Sequence, residues 1–239
     1  MSRVLVTGGG SGIGRAIAQD FAARGHAVTV AGRTLAALQE TARGHDITCQ
    51  AVDVTDEAQI KALFAQPFDI VVANAGAGTA MPVRDMPLQV WQDTVDVNLT
   101  GVFLTFRAAL RDMPSGGRLI ALASTASLKG GANIAAYAAA KHGVLGLVRS
   151  LALEVARSGI TCNAVCPGFV DTDMGQAAVT GVMERLSLPR EKAERMVVGG
   201  NPMRRMINVD EVTAAVRFLA SREASMVNGH ALAVSGGEI

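Results

Sequence analysis

The segment Thr7-Gly8-Gly9-Gly10-Ser11-Gly12-Ile13-Gly14 lies between an apolar run, Val4 to Val6, and a helical pattern over Arg15 to Arg24. No other stretch limits the possible folds as strongly. Glycines let a backbone turn tightly and approach a bound group closely. The helix that follows offers free N–H groups and the positive end of its dipole to an anion such as a pyrophosphate. A strand that feeds a glycine-rich loop, which in turn opens a helix, is the context required of a dinucleotide-binding start. A merely flexible turn would need far fewer glycines.

The rest of the chain continues that rhythm. Strands are expected at Ala27–Ala31, Ile47–Val52, Ile70–Ala73, Arg118–Ala123, Ile160–Val165 and Ala231–Val234. Between them lie helical patterns from Thr34 to Ala42, Asp56 to Ala65, Leu88 to Met113, Ala135 to Ser158 and Val209 to Ala220. Alternation of this kind implies an α/β, three-layer, doubly wound Rossmann arrangement. About seven mostly parallel strands would carry helices on both faces. One domain over residues 1–239 is expected, because no linker, repeat or composition break appears. The rhythm breaks only at Val170–Met206, a methionine-bearing segment with Gly199-Gly200, Pro189 and Pro202. It reads as a substrate-loop insertion, either a mobile lid or an ordinary helical excursion.

Composition removes several classes of function. Apolar residues make up 49% and charged residues 18%, which is a folded rather than a disordered chain. A net charge of +1 without a basic run argues against a nucleic-acid partner. No apolar run reaches the ~20 residues of a membrane helix, so no membrane partner is expected. Residues 3–7 already read as a strand, not as a signal peptide. Cys49, Cys162 and Cys166 have no metal-ligand spacing, so no metal is expected. They fit small buried residues in a reducing compartment, and the expected location is cytoplasmic.

Tyr137, the only tyrosine, precedes Lys141 by four residues, and Ser124 lies thirteen residues upstream. Residues four apart share one helix face. An ammonium beside a phenol favours the phenolate and lowers a pKa near 10. Such a tyrosine can exchange a proton with an alcohol or ketone. A serine alongside could hold the same oxygen. On its own, the spacing is as well explained by a solvated lysine on an unremarkable helix.

The ordered set Thr7-Gly8, Gly12-Ile13-Gly14, Asn74-Ala75-Gly76, Asn98, Ser124, Tyr137-x-x-x-Lys141 and Pro167-Gly168 resembles the short-chain dehydrogenase/reductase family over nearly the whole chain. The resemblance implies a catalytic set of Asn98, Ser124, Tyr137 and Lys141. It also implies a nicotinamide cofactor contacted by Gly8, Ser11, Gly12, Ile13, Gly14, Asp53, Val54, Asn74, Tyr137, Lys141, Val170 and Thr172. Lys141 would bind the nicotinamide ribose, and Asn98 would hold a water that links Lys141 to solvent. Ser235-Gly236-Gly237 departs from the family's Asp-Gly-Gly, which bears on the subfamily more than on catalysis.

Strand two ends in Val30-Ala31-Gly32-Arg33, with no acid for a ribose 2′-hydroxyl. Arg33 could fork onto a 2′-phosphate instead, so NADP(H) is favoured over NAD(H). The expected reaction interconverts a ketone and a secondary alcohol. The small-molecule substrate resembles that of the 3-oxoacyl-thioester reductase and 3-hydroxyacyl-CoA dehydrogenase branch, with an alicyclic, sugar or polyketide-like alcohol as the alternative. Lys129, Arg185, Arg190, Arg204 and Arg205 could meet an anionic carrier or form a solvated rim. A nucleotide-sensing regulator without turnover is the other class of function. The family usually forms homotetramers, or else homodimers, through the two long helices and the last strand.

Overall fold

The structure, a computed structural model, describes residues 1–239. Its strands are β1 (Arg3–Thr7), β2 (Ala27–Gly32), β3 (Ile47–Ala51), β4 (Ile70–Ala73), β5 (Arg118–Leu122), β6 (Thr161–Pro167) and β7 (Ala231–Val234). They form one sheet in the order β3-β2-β1-β4-β5-β6-β7, and every pairing is parallel. The sheet is therefore wholly rather than mostly parallel. Strand order reverses between β1 and β4. Ligands of such sheets bind beyond the carboxyl ends of the strands at that switch point.

The helices are α1 (Gly12–Ala23), α2 (Leu35–Ala42), α3 (Glu57–Leu63), α4 (Leu88–Val95), α5 (Gly101–Ala109), α6 (Ala135–Val155), α7 (Asp173–Leu186), α8 (Arg190–Val197) and α9 (Val209–Ala220). Alternate residues of each strand face opposite layers. Leu5, Val71, Leu119 and Ala121 meet Phe106 of α5 and Val144 and Val148 of α6. Val4, Val6, Val72 and Ile120 meet Ile17 of α1 and Val212 and Val216 of α9. β5 and β6 are buried along their full length, as strands covered on both faces must be.

One expectation about the helices needs correction. The pattern from Leu88 to Met113 is not one α-helix. A π turn at Asp96–Thr100 separates α4 from α5, which ends at Ala109, five residues before Pro114. The cause lies inside the turn. Asn98 Nδ2 donates to the Thr94 carbonyl at 2.8 Å, the acceptor that its own backbone N–H would use in an α-helix. The Val170–Met206 segment is a helical excursion, α7 and α8, joined through Ser187 in the left-handed region at φ 51. No helix is long and apolar enough to cross a membrane.

Candidate active site

At the carboxyl end of β1 the chain turns through Gly8 (φ +65) and Gly12 (φ +50), conformations that favour glycine. A Cβ at Gly14 would run into the Gly8 carbonyl and the Asn74 amide, so α1 packs against the loop with no side chain between them. Asn74 Nδ2 donates to the Thr7 and Gly8 carbonyls at 3.0 and 3.1 Å. Expected on the cofactor, Asn74 thus has its amide turned into the loop, where it pins β1 to β4. Ser11 stands exposed at the N-cap and makes no side-chain capping bond. Ile13 packs its side chain on the core beneath.

The back of the loop is held by two residues that sequence reading missed. Buried Thr41 donates from Oγ1 to the Gly9 carbonyl at 2.8 Å. Arg15 donates to the Gly10 carbonyl at 2.6 Å and to Thr41 at 3.1 Å. The acceptors are backbone carbonyls far along the chain, which leave no mark in sequence. With these carbonyls satisfied from behind, the unpaired N–H groups at the start of α1 face the crevice. The cradle fits a pyrophosphate.

Asp53 sits at the end of β3, where Oδ1 accepts from the Thr55 N–H and hydroxyl at 2.9 and 2.8 Å. Its other carboxylate oxygen is free to face a ligand. Val54 is buried. Arg33, at the end of β2, is exposed and joins no salt bridge. A Cβ at Gly32 would touch only Leu38, at 3.5 Å. Internal packing therefore does not require a glycine there. Val170 is buried, and Thr172 caps α7 by accepting from the Gly175 N–H at 3.3 Å. The Thr172 methyl would lie 3.2 Å from a Cβ at Gly12, so the excursion after β6 rests against the glycine loop.

Between these two walls stand the four expected catalytic residues. Tyr137 and Lys141 lie one turn apart on α6, with Lys141 Nζ 5.6 Å from the tyrosine ring centre. Lys141 is buried and donates to the Leu122 carbonyl at 2.8 Å. Ser124 follows β5, and its Oγ accepts from the Ala126 N–H at 3.1 Å. Asn98, fully buried, donates to the Ala77 and Thr94 carbonyls at 2.7 and 2.8 Å. Its Oδ1 is buried without a partner. A Cβ at Gly76 would stand 2.8 Å from that oxygen and 3.5 Å from Lys141 Nζ, so both polar atoms converge beside Gly76.

The electrostatics correct one expectation. Burial pushes the Tyr137 phenol up, and a polar contact with Ser124 only partly opposes it. The Lys141 ammonium is itself turned onto the Leu122 carbonyl. Burial pushes Lys141 itself down to about 8. A lysine with a lowered pKa in the folded state destabilises that state at every pH below about 8. The penalty fades as pH rises from about 8 to 10.5. It amounts to at most about 3 kcal/mol, offset by about 1 kcal/mol from the hydrogen bond to Leu122. Lys141→Met is therefore expected to gain about 2 kcal/mol of stability at pH 7 and to lose that gain by pH 10.5. Urea melts at the two pH values check it, and an equal gain at both would contradict the assignment.

A family model described as Enoyl-(Acyl carrier protein) reductase matches residues 8–238. Among curated proteins, D-beta-hydroxybutyrate dehydrogenase of Cupriavidus necator is 36% identical, covering 98% of this chain and 96% of its own. Levodione reductase of Leifsonia aquatica is 37% identical, covering 98% and 93%. Among solved structures, a single-residue variant of actinorhodin polyketide ketoreductase with NADPH superposes with a TM-score of 0.93 at 34% identity, covering 99% and 96%. An NAD(P)-dependent oxidoreductase acting on CH–OH or ketone groups is what such relatives share. The chain belongs to the short-chain dehydrogenase/reductase family.

Proposed function

We propose that this protein reduces a ketone to a secondary alcohol, or runs the reverse reaction, with NADP(H), and that Tyr137 is the proton-transferring group. The bound nicotinamide supplies or accepts the hydride at the carbonyl carbon. Tyr137 Oη gives its proton to the carbonyl oxygen as that carbon is reduced. Ser124 Oγ holds the same oxygen. The raised phenol pKa keeps Tyr137 protonated at neutral pH, the form that reduction needs. Lys141 holds the nicotinamide ribose, and a water on Asn98 Oδ1 links Lys141 to solvent, from which the phenolate is reprotonated.

The observation that carries this reading is the unpartnered, fully buried Asn98 Oδ1 facing the same gap as Lys141 Nζ. A buried carbonyl oxygen without a partner costs about 1–3 kcal/mol, and an ordered water between the two atoms removes that cost. A cofactor-coupled panel of acetoacetyl-CoA, alicyclic ketones, sugars and steroids, run with NADPH and NADH, tests the reading. No turnover on any member would sink it.

Gly8, Ser11, Gly12, Ile13 and Gly14 would cradle the pyrophosphate, with Asp53 and Val54 at the adenine and Val170 and Thr172 at the carboxamide. Arg33 would take the 2′-phosphate, with NAD(H) as the weaker alternative. Its exposed guanidinium, in no salt bridge, and a Gly32 that internal packing does not require support this. Arg33→Asp is expected to lower the NADPH-over-NADH preference in kcat/KM by about 100-fold, since a paired phosphate is lost and a repulsion gained. An unchanged ratio would refute the assignment.

The substrate we favour is a 3-oxoacyl or 3-hydroxyacyl thioester, in line with the names of several relatives. An alicyclic ketone, as in levodione reductase, is the alternative. Residues 1–239 act as one catalytic unit, with Val170–Met206 over the substrate mouth. A homotetramer is supported by exposed Leu88 and Trp91 on α4, Phe103 on α5, Leu153 on α6, Phe218 on α9 and Met226 before β7. Light scattering tests it. The free thiols, buried at Cys162 and Cys166 and partly buried at Cys49, fit a cytoplasmic setting.

A further inference from the structure

Past β7 the chain carries Glu238, whose side chain is only 11% exposed. Its carboxylate pairs with Lys129 Nζ at 2.9 Å, and Lys129 belongs to the loop after Ser124. A Cβ at Gly168 would lie 2.8 Å from Glu238 Oε2 and 3.8 Å from the methyl of Thr125, the residue next to Ser124. A Cβ at Gly200 would lie 3.4 Å from Glu238 Oε1. The loop after β5, the turn after β6 and the far end of the α7–α8 excursion thus converge on one carboxylate. The first and the last of these are segments expected to frame the substrate mouth.

We infer that the Glu238–Lys129 pair is a charge filter that selects substrates with an uncharged acyl end over free oxo acids. The inference rests on the ketone-reductase reading above and narrows its substrate class. Of the cations expected at the mouth, Lys129 lies in the loop that carries Ser124, and Glu238 already occupies it. A free acid must displace Glu238 or lie beside it, and either course is unfavourable for like charges in a partly dehydrated site. A carboxyl masked as a thioester, or a simple ketone, meets no such repulsion. Two further cations expected at the mouth are also engaged: Arg205 is bidentate on Glu211, and Arg190 donates to Gln176.

The decisive probes are acetoacetate and its neutral N-acetylcysteamine thioester. Calorimetry on the NADPH complex in a Tyr137→Phe background reads binding without turnover. Glu238→Gln should tighten acetoacetate about tenfold and leave the thioester within about twofold. Lys129→Gln should weaken acetoacetate, because Glu238 is then uncompensated. The double variant should lose the gain of Glu238→Gln. Equal changes for both ligands, or none, would overturn the filter. Turnover of the same pair by the Tyr137-containing enzyme is scored separately, so its absence counts against the ketone-reductase reading and leaves the binding comparison standing.

Discussion

Replacing Tyr137 by Phe is expected to lower kcat by about 10³-fold or more, with the dissociation constant for NADPH within about twofold of its normal value. The change deletes one oxygen and little volume on a helix whose packing rests on its neighbours Ala136, Ala138 and Ala140. Stability should therefore hold. The loss would fall on kcat and kcat/KM together, as for an interaction made in the transition state. Ser124 alone cannot replace the proton, because its hydroxyl is a far weaker acid. Stopped-flow single turnovers with the best ketone of the panel, together with fluorescence titration of NADPH, give both numbers. A variant that retains a tenth of normal turnover would remove Tyr137 from the reaction.

Gly14→Ala is expected to be nearly as damaging by another route. The new methyl meets the Gly8 carbonyl and the Asn74 amide, neither of which is the free end of a flexible chain. Gly8 is itself pressed against Ala75, 2.8 Å from where its own Cβ would be. Relief requires α1 to lift from the loop, which carries its N–H groups away from the pyrophosphate. Overpacking of this kind costs about 1–3 kcal/mol. If most of it is borne by the cofactor site, NADPH binding weakens by about 30-fold or more. Isothermal titration, paired with a thermal melt without cofactor, separates lost affinity from lost stability. Normal affinity would mean that the helix start does not hold the phosphates.

Much of this is readable in the residues. Short apolar runs separated by helical periods stack as a parallel sheet, and the structure has that sheet. The four expected catalytic residues come together in space from the end of β5 (Ser124), one face of α6 (Tyr137, Lys141) and the π turn between α4 and α5 (Asn98). What stays hidden in the residues is hidden for physical reasons. The π turn adds one residue to a helical turn, too small a change for a periodicity argument to register. Asn74, Arg15 and Thr41 act on backbone carbonyls, and any residue type can supply those. The direction of the Tyr137 shift is set by burial of the phenol, which a four-residue spacing does not reveal. Lys129 stands out as a cation, but its partner Glu238 lies over a hundred residues away.

The π turn has a further consequence. Each residue advances a helix by about 100°, so one extra residue sets the phase of everything after it. α4 and α5 are in effect two helices in different phases, one buried along Thr94, the other along Val102, Phe106 and Ala109. Asn98 lies at the seam. Deleting a residue from 96–100 would not merely move Asn98. It would rotate one of the two helices out of register with its core while turning the amide away from Lys141. Packing and proton handling are thus written in a single count of residues, and neither can drift without the other.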